Sequence, residues 1–362
     1  MQGIDLGKRI LFVGPIWSGG TSLQRMKALG DLGHIVIGLN TEPQEVRKIQ
    51  RRLLSRIQGK LYRLGWECDS HGKDLAGINV RILDHFRKST WDILWIEKGL
   101  TILRETLHAV RELQKGCVIV GYSPDDMAAR HNQSSQFLGG LNLYDLYVTT
   151  KSYGVAELKA LGCPHVMFCG NAYDPHCHKP VQLSEGERKS LGGAVGFIGA
   201  FESERAESMY RLARAGFKVR IWGMGWERCR IRHEKLTLEH KPLWGDDYAK
   251  AICAFDINLC FLRKINRDLQ TTRSVEIPAC GAFMLAERTE EHLDLFTEKV
   301  EAEFFSSDEE LIRKVEFYLE NQEKRKRIAA AGRERCINTG YSNHDRLKKV
   351  LTAIGTIQTG DV

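Results

Sequence analysis

Short apolar runs alternate with longer amphipathic stretches along most of this chain. Runs of buried-strand character fall at residues 9–14 (RILFVG), 34–39 (HIVIGL), 92–97 (DILWIE), 117–122 (CVIVGY), 145–149 (DLYVT) and 165–168 (HVMF). Helical periodicity marks 22–32, 101–114 and 152–161, and the stretch up to Phe86 reads as helix or strand. A second series begins at 194–199 (AVGFIG) and continues through strands at 217–223, 256–261, 282–285 and 300–305. Its helices are predicted to end near Ala215 and to cover 246–255, 309–320, 323–338 and 343–354. Such alternation predicts an α/β fold, with parallel sheets covered by helices on both faces. The polar, proline-bearing segment 171–180 and the hydrophilic stretch that follows separate the two series.

Composition narrows this picture. At 362 residues, with 43% hydrophobic and 27% charged positions, the chain suits two soluble domains of ordinary size. No run approaches eighteen apolar residues, and residues 1–17 lack the charged start, apolar centre and cleavage site of a signal peptide. Ten cysteines are scattered without a C-x-x-C pair, which fits buried thiols in a reducing cytoplasm. Seven basic residues and no acids lie between Arg47 and Arg63, matching the net charge of +7 of the whole chain. Apolar residues recur through 46–64 at helical spacing, so this segment reads as a basic amphipathic helix. It serves either as a packed helix with a solvated basic face or as a peripheral contact with an anionic membrane or acceptor. Nucleic acid is not expected, since no binding motif accompanies the charge.

The chemistry concentrates in residues 268–287 (DLQTTRSVEIPACGAFMLAE). Pro278 keeps any helix here short, placing its start near Ser274 as N-cap, and Gly281 suits the position after its end. Arg273 and Glu276 then stand at the helix start, where forked donors suit phosphate and a carboxylate suits sugar hydroxyls. The alternative is a surface pair in which Glu276 caps its own helix and Arg273 bonds to it.

Arg273, Glu276, the run IPACGAFMLAE and the downstream FFSSDEEL together resemble the second half of GT-B glycosyltransferases. The likeness is to the group 1 families and within them to the spore-maturation (CgeB-like) group. The resemblance implies two Rossmann-like domains whose parallel sheets face a central cleft. Residues 1–178 would form an acceptor-side domain, 179–193 a linker, 194–342 a nucleotide-sugar-binding domain, and 343–362 a helix crossing back to the first domain, with the tail. It further implies that Glu276 holds the nucleotide ribose and Arg273 the diphosphate. Asp268, eight positions before Glu276 where relatives carry a glutamate, would lie near the donor sugar. Gly199 and Arg205 would lie near the diphosphate, Trp244 would either stack on the base or serve as an ordinary loop anchor, and Gly223 would admit the ligand to backbone amides.

In the first domain, Gly19 and Gly20 of the loop PIWSGGT are either donor- or acceptor-side groups or simply a tight turn. Asp125, beyond the CVIVGY strand, is either a general base for an incoming hydroxyl or a helix cap. His176, Cys177 and His178 are read as a surface loop rather than a metal site, since neighbouring residues in extended chain point opposite ways. The function implied is metal-independent transfer of a sugar from a UDP- or other nucleotide-sugar, a co-substrate rather than a cofactor. The acceptor hydroxyl would belong to a saccharide, lipid-linked glycan, small molecule or protein. Rival readings are an epimerase or hydrolase of nucleotide-sugars, and a non-catalytic spore- or cell-surface assembly protein that keeps the fold.

Overall fold

The computed structural model describes residues 7–42 and 72–359, so the basic stretch 46–64 lies outside the described residues. The chain divides into two compact units, one of residues 1–170 and 346–362, the other of residues 171–345. Among the described residues no helix is long and apolar enough to cross a membrane.

The first unit is built on a six-stranded parallel sheet with order β2-β1-β3-β4-β5-β6. Its strands are β1 (Arg9–Gly14), β2 (Ile35–Asn40), β3 (Ile93–Glu97), β4 (Val118–Ser123), β5 (Leu146–Thr149) and β6 (Val166–Phe168). Every residue of β3, β4 and β5 is buried, as expected for strands covered on both faces. Helices α1 (Thr21–Asp31), α2 (Ile78–Lys88), α3 (Arg104–Leu113), α4 (Ser135–Gly140) and α5 (Gly154–Ala160) follow β1, β2, β3, β4 and β5. The segment ending at Phe86, open between helix and strand from its pattern, is therefore helical. Phe12, Trp95 and Tyr122 sit on adjacent strands and stack in sequence, with ring centroids 6.2 and 5.7 Å apart. Sequence order reverses between β1 and β3, the switch point where such sheets open a crevice at the strand ends.

The second unit carries the strands β7 (Gly193–Ile198), β8 (Val219–Trp222), β9 (Leu236–Leu238), β10 (Phe255–Cys260), β11 (Met284–Glu287) and β12 (Glu303–Phe305). They form a parallel sheet of order β12-β11-β10-β7-β8-β9, the arrangement of a dinucleotide-binding domain, with its switch point between β7 and β10. Helices α6 (Glu185–Leu191), α7 (Ser203–Arg214), α8 (Gly245–Ala254), α9 (Arg273–Ala279), α10 (Glu290–Leu295), α11 (Asp308–Glu320) and α12 (Gln322–Asn338) cover it. The stretch 179–193, expected as a linker, contains α6, whose start is fixed by a reciprocal capping box between Ser184 and Glu187. A final helix, α13 (Asn343–Thr359), places Leu347, Val350 and Ile354 in the core of the first unit.

Candidate functional site

At the end of β7, Phe197 forms a small platform in the second unit. The guanidinium carbons of Arg205 and Arg273 lie 5.4 and 5.7 Å from its ring centroid. Arg205 comes from α7 and is only 3% exposed. Its Nη1 donates to the Ala200 carbonyl at 3.2 Å, and its Nη2 donates to the Leu262 carbonyl at 2.8 Å and to Glu202 Oε2 at 3.0 Å. Arg205 thereby ties the loop after β7 to the loop after β10 across the switch point. Arg273, the first residue of α9, makes no hydrogen bond or ion pair to any described residue, and its buried Nε has no partner. Burial first, and the charge of Arg273 second, push the Arg205 guanidinium down to about 10. Two cations share an apolar ring, and one of them has its donors uncommitted. An oxyanion is the chemistry this arrangement accepts.

Gly199 and Gly223 make room for that arrangement. A Cβ on Gly199 would come within 2.6 Å of the Phe197 ring and 3.3 Å of Arg273 Nη1. On Gly223, a Cβ would stand 1.9 Å from the Gly199 carbonyl oxygen. That oxygen already accepts from Trp226 Nε1 at 2.8 Å, so the backbone cannot yield there without breaking that bond.

One turn further along α9, Glu276 is 4% exposed, which excludes the surface-pair reading. Its Oε2 accepts from the Tyr248 hydroxyl at 2.6 Å, and its Oε1 lies 3.7 Å from His178 Nε2. His178 is itself 3% exposed and accepts the Asp174 backbone N–H on Nδ1 at 2.9 Å. With Nδ1 accepting, the proton of the neutral ring sits on Nε2 and points toward Glu276. The surface-loop expectation for His178 is therefore corrected: its ring packs edge-on against Tyr248 and completes the surroundings of the carboxylate. Burial, and then the charge of Glu276, hold the Tyr248 hydroxyl well above its ordinary range, so it remains a donor.

The start of α9 is anchored from behind. Helix α9 begins at Arg273 with Thr272 at the N-cap position, two residues before the expected cap. Ser274, expected as the cap, lies inside the helix and works differently. It accepts the Thr271 N–H at 2.9 Å and donates to His292 Nε2 at 2.7 Å, while His292 Nδ1–H donates to the Glu287 carbonyl at 2.6 Å. Both ring nitrogens of His292 are occupied in the neutral form, and burial depresses its pKa to about 4. Below pH 6.5 the unfolded chain binds a proton that the folded one refuses until about pH 4, so stability falls as pH falls through this window. The full loss is about 3 kcal/mol, from the usual 1.36 kcal/mol per unit. Urea unfolding of the native chain and His292→Gln should give midpoints that converge between pH 6.5 and 4; parallel pH profiles would remove His292 from this role.

The other expected site residues fall as follows. Trp244 stands at the N-cap of α8, one turn from Tyr248, and is 46% exposed. Asp268 is 8% exposed in the loop before α9, where its N–H donates to the Arg263 carbonyl at 3.1 Å. In the first unit, Gly19 has φ +87°, a value that favours glycine, and Gly20 donates to the Trp17 carbonyl at 3.0 Å. Asp125 forms an ion pair with Lys98, which joins the ends of β3 and β4. No helix starts directly after Asp125. A short 3-10 turn at Arg130–Asn132 intervenes and Ser134 caps α4, so the capping reading of Asp125 is set aside.

Sequence reasoning missed Tyr248 and His178 as partners of Glu276, and Arg25 as the partner of Glu97. Tyr248 and His178 are distant from Glu276 in the chain, and no spacing rule links them to it. Glu97 at the end of β3 binds Arg25 of α1 through two hydrogen bonds of 2.9 and 2.5 Å, at the switch point of the first sheet. An acid at a strand end was visible; its buried arginine was not.

Residues 205–352 match a family model described as glycosyl transferase-like. No curated protein matches the chain. Among solved structures, a glycosyltransferase from Rickettsia africae superposes with a TM-score of 0.65 at 13% identity, covering 97% of this chain and 98% of that one. Sucrose-phosphate synthase from Thermosynechococcus elongatus gives 0.62 at 12% identity, covering 97% and 100%. HepE from Anabaena, solved with UDP and glucose, gives 0.60 at 12% identity, covering 96% and 100%. At such identities the likeness is one of fold: two Rossmann-like α/β units of the GT-B class.

Proposed function

We propose that this protein transfers a sugar from a nucleotide-sugar, with a UDP-sugar as the first donor to test, to a hydroxyl of an acceptor. The observation that carries the reading is Arg273, with donors uncommitted over Phe197 one helical turn from a buried, oriented carboxylate. That spacing suits a diphosphate beside a ribose. The family match over this unit and the UDP in the solved HepE structure support the choice of ligand class. So does the resemblance of Arg273, Glu276 and the residues after them to the spore-maturation glycosyltransferases.

In this account Arg273 offsets the charge that develops on the leaving diphosphate, and Arg205 holds the two loops on which it depends. Such a guanidinium supplies the electrostatic part of catalysis without a metal, so chelation should leave the rate unchanged. Asp268, in the donor unit, and Asp125, at a strand end of the first unit, are the candidate acids and bases. The stereochemical outcome assigns them: retention favours Asp268, and inversion favours Asp125. Nine cysteines among the described residues form no disulfide, in keeping with work in a reducing compartment.

The test is direct. Incubating the protein with UDP-sugars and a panel of hydroxyl acceptors, with NMR detection, should show a new glycosidic product. An epimer or free sugar alone would replace transfer by epimerisation or hydrolysis. Glu276→Gln keeps the shape and the Tyr248 bond but removes the charge. It should weaken UDP binding by roughly tenfold to a hundredfold, since hydrogen bonds to charged groups contribute about 1.5–3 kcal/mol. Unchanged affinity in calorimetric titration would remove Glu276 from the site.

A further inference from the structure

The carboxylate of Glu276 is an unusual object: an acid with 6% of its side chain exposed and no cation bonded to it at close range. An ionised carboxylate offers about four acceptor positions. The Tyr248 hydroxyl takes one on Oε2 at 2.6 Å, and His178 Nε2 faces Oε1 at 3.7 Å. Both donors are themselves held. The backbone N–H of Asp174 fixes the His178 ring, and the His176 N–H is fixed in turn by Asp174 Oδ1 at 2.9 Å. His178 and Tyr248 also brace each other edge-on, with ring centroids 5.7 Å apart. The carboxylate is therefore flanked from two sides by elements far apart in sequence: Oε2 keeps one acceptor position beside the Tyr248 bond, and Oε1, which His178 Nε2 faces at 3.7 Å without bonding to it, stays open to a second donor.

We infer that Tyr248 and His178 are positioning residues that aim the two free acceptor positions of Glu276 at a vicinal cis-diol. They would thereby make the site selective for ribonucleotides over 2′-deoxyribonucleotides. The inference rests on the nucleotide-sugar reading above and extends it from ligand class to sugar specificity. Two adjacent hydroxyls each donate one hydrogen bond to a carboxylate held in one plane. A 2′-deoxyribose supplies one donor and leaves the other acceptor position desolvated, which is how a buried polar site rejects an analogue lacking a hydroxyl. If the carboxylate rotates freely, it follows whichever hydroxyl is present and the selection weakens. Tyr248 is suited to the task because burial and the adjacent acid keep its hydroxyl protonated across the working pH range.

The experiment compares the affinities of UDP and 2′-deoxy-UDP for the native chain and for Tyr248→Phe, His178→Leu and His178→Gln. The native chain should prefer UDP by roughly ten- to a hundredfold, the range set by one hydrogen bond to a charged group. Tyr248→Phe and His178→Leu should reduce that preference below about threefold, by weakening UDP while leaving 2′-deoxy-UDP nearly unchanged. His178→Gln, which retains a donor, should restore most of it. A residue with only a structural role would shift both ligands together and leave the ratio alone. Retained 2′-deoxy-UDP binding shows that each variant is folded, and His178→Gln tests the idea if Tyr248→Phe does not fold. UDP binding that depends on Glu276 but keeps the same ratio in all variants would overturn the inference while sparing the nucleotide-sugar reading. Absence of UDP binding in the native chain would overturn both.

Discussion

Arg273→Ala should weaken UDP binding on the order of a hundredfold or more while leaving the melting temperature unchanged or slightly higher. The two halves of this expectation have one origin. Arg273 makes no hydrogen bond or ion pair within the described residues, so deleting it breaks no internal bond. It does remove a positive charge that disfavours the neighbouring Arg205, whose pKa stands lowered to about 10. Against that, two charge-assisted bonds to a diphosphate contribute about 1.5–3 kcal/mol each. Arg273→Lys should recover only part, because a lysine is a point charge on a flexible stem and lacks the planar fork. Titration calorimetry and a melting curve on the same samples check both halves. A large loss of stability would show that Arg273 is a structural residue.

Glu97→Ala should destabilise the first unit by about 3–5 kcal/mol, the cost of leaving one member of a buried ion pair alone. Arg25 and Glu97 are 6% and 2% exposed at their side chains, and Trp95 Nε1 also donates to Glu97 Oε1 at 3.0 Å. The Arg25 guanidinium lies 4.3 Å over the Tyr122 ring, and among the described residues no other acid pairs with it. Stability of 5–15 kcal/mol is usual for a folded unit, so this single change removes a large share. Arg25→Met combined with Glu97→Leu should recover most of the loss, because apolar replacement of both members of a buried pair is often neutral. Urea denaturation followed through tryptophan fluorescence measures this. Equal losses in the single and double variants would mean that the pair itself, rather than the orphaned charge, stabilises the unit.

Much of this molecule was legible from pattern. Long apolar runs such as ILWIE and VIVGY are strands buried on both faces, and their period and β-branched content leave few alternatives. The glycine stop at Gly281 was equally clear, and it takes φ +68° as the end of a two-turn helix requires. Less visible were short elements whose stability comes from packing. Strand β9 is three residues long, and α4 and α10 are six each, too short for periodicity to declare them. Helix α6 was hidden by its own polarity, although the Ser184 and Glu187 capping box was there to be read.

The site divides in the same way. Arg273 and Glu276 were found because a local motif carries them. The burial of Glu276 was not foreseen, because exposure depends on what packs over a helix start, here Tyr248 from α8 and His178 from the segment before α6. His178 was misjudged for a related reason. Its neighbours in sequence are polar, and only the fold brings it under Glu276. Ser274 shows the limit of cap rules: the hydroxyl meant for a helix end is drawn instead to a buried histidine eighteen positions away.

The most direct test of this account is a structure of the protein crystallised with UDP. Diphosphate oxygens are expected within hydrogen-bond distance of the Arg273 guanidinium, with the ribose hydroxyls on Glu276. UDP bound elsewhere, with Arg273 still unliganded over Phe197, would contradict it.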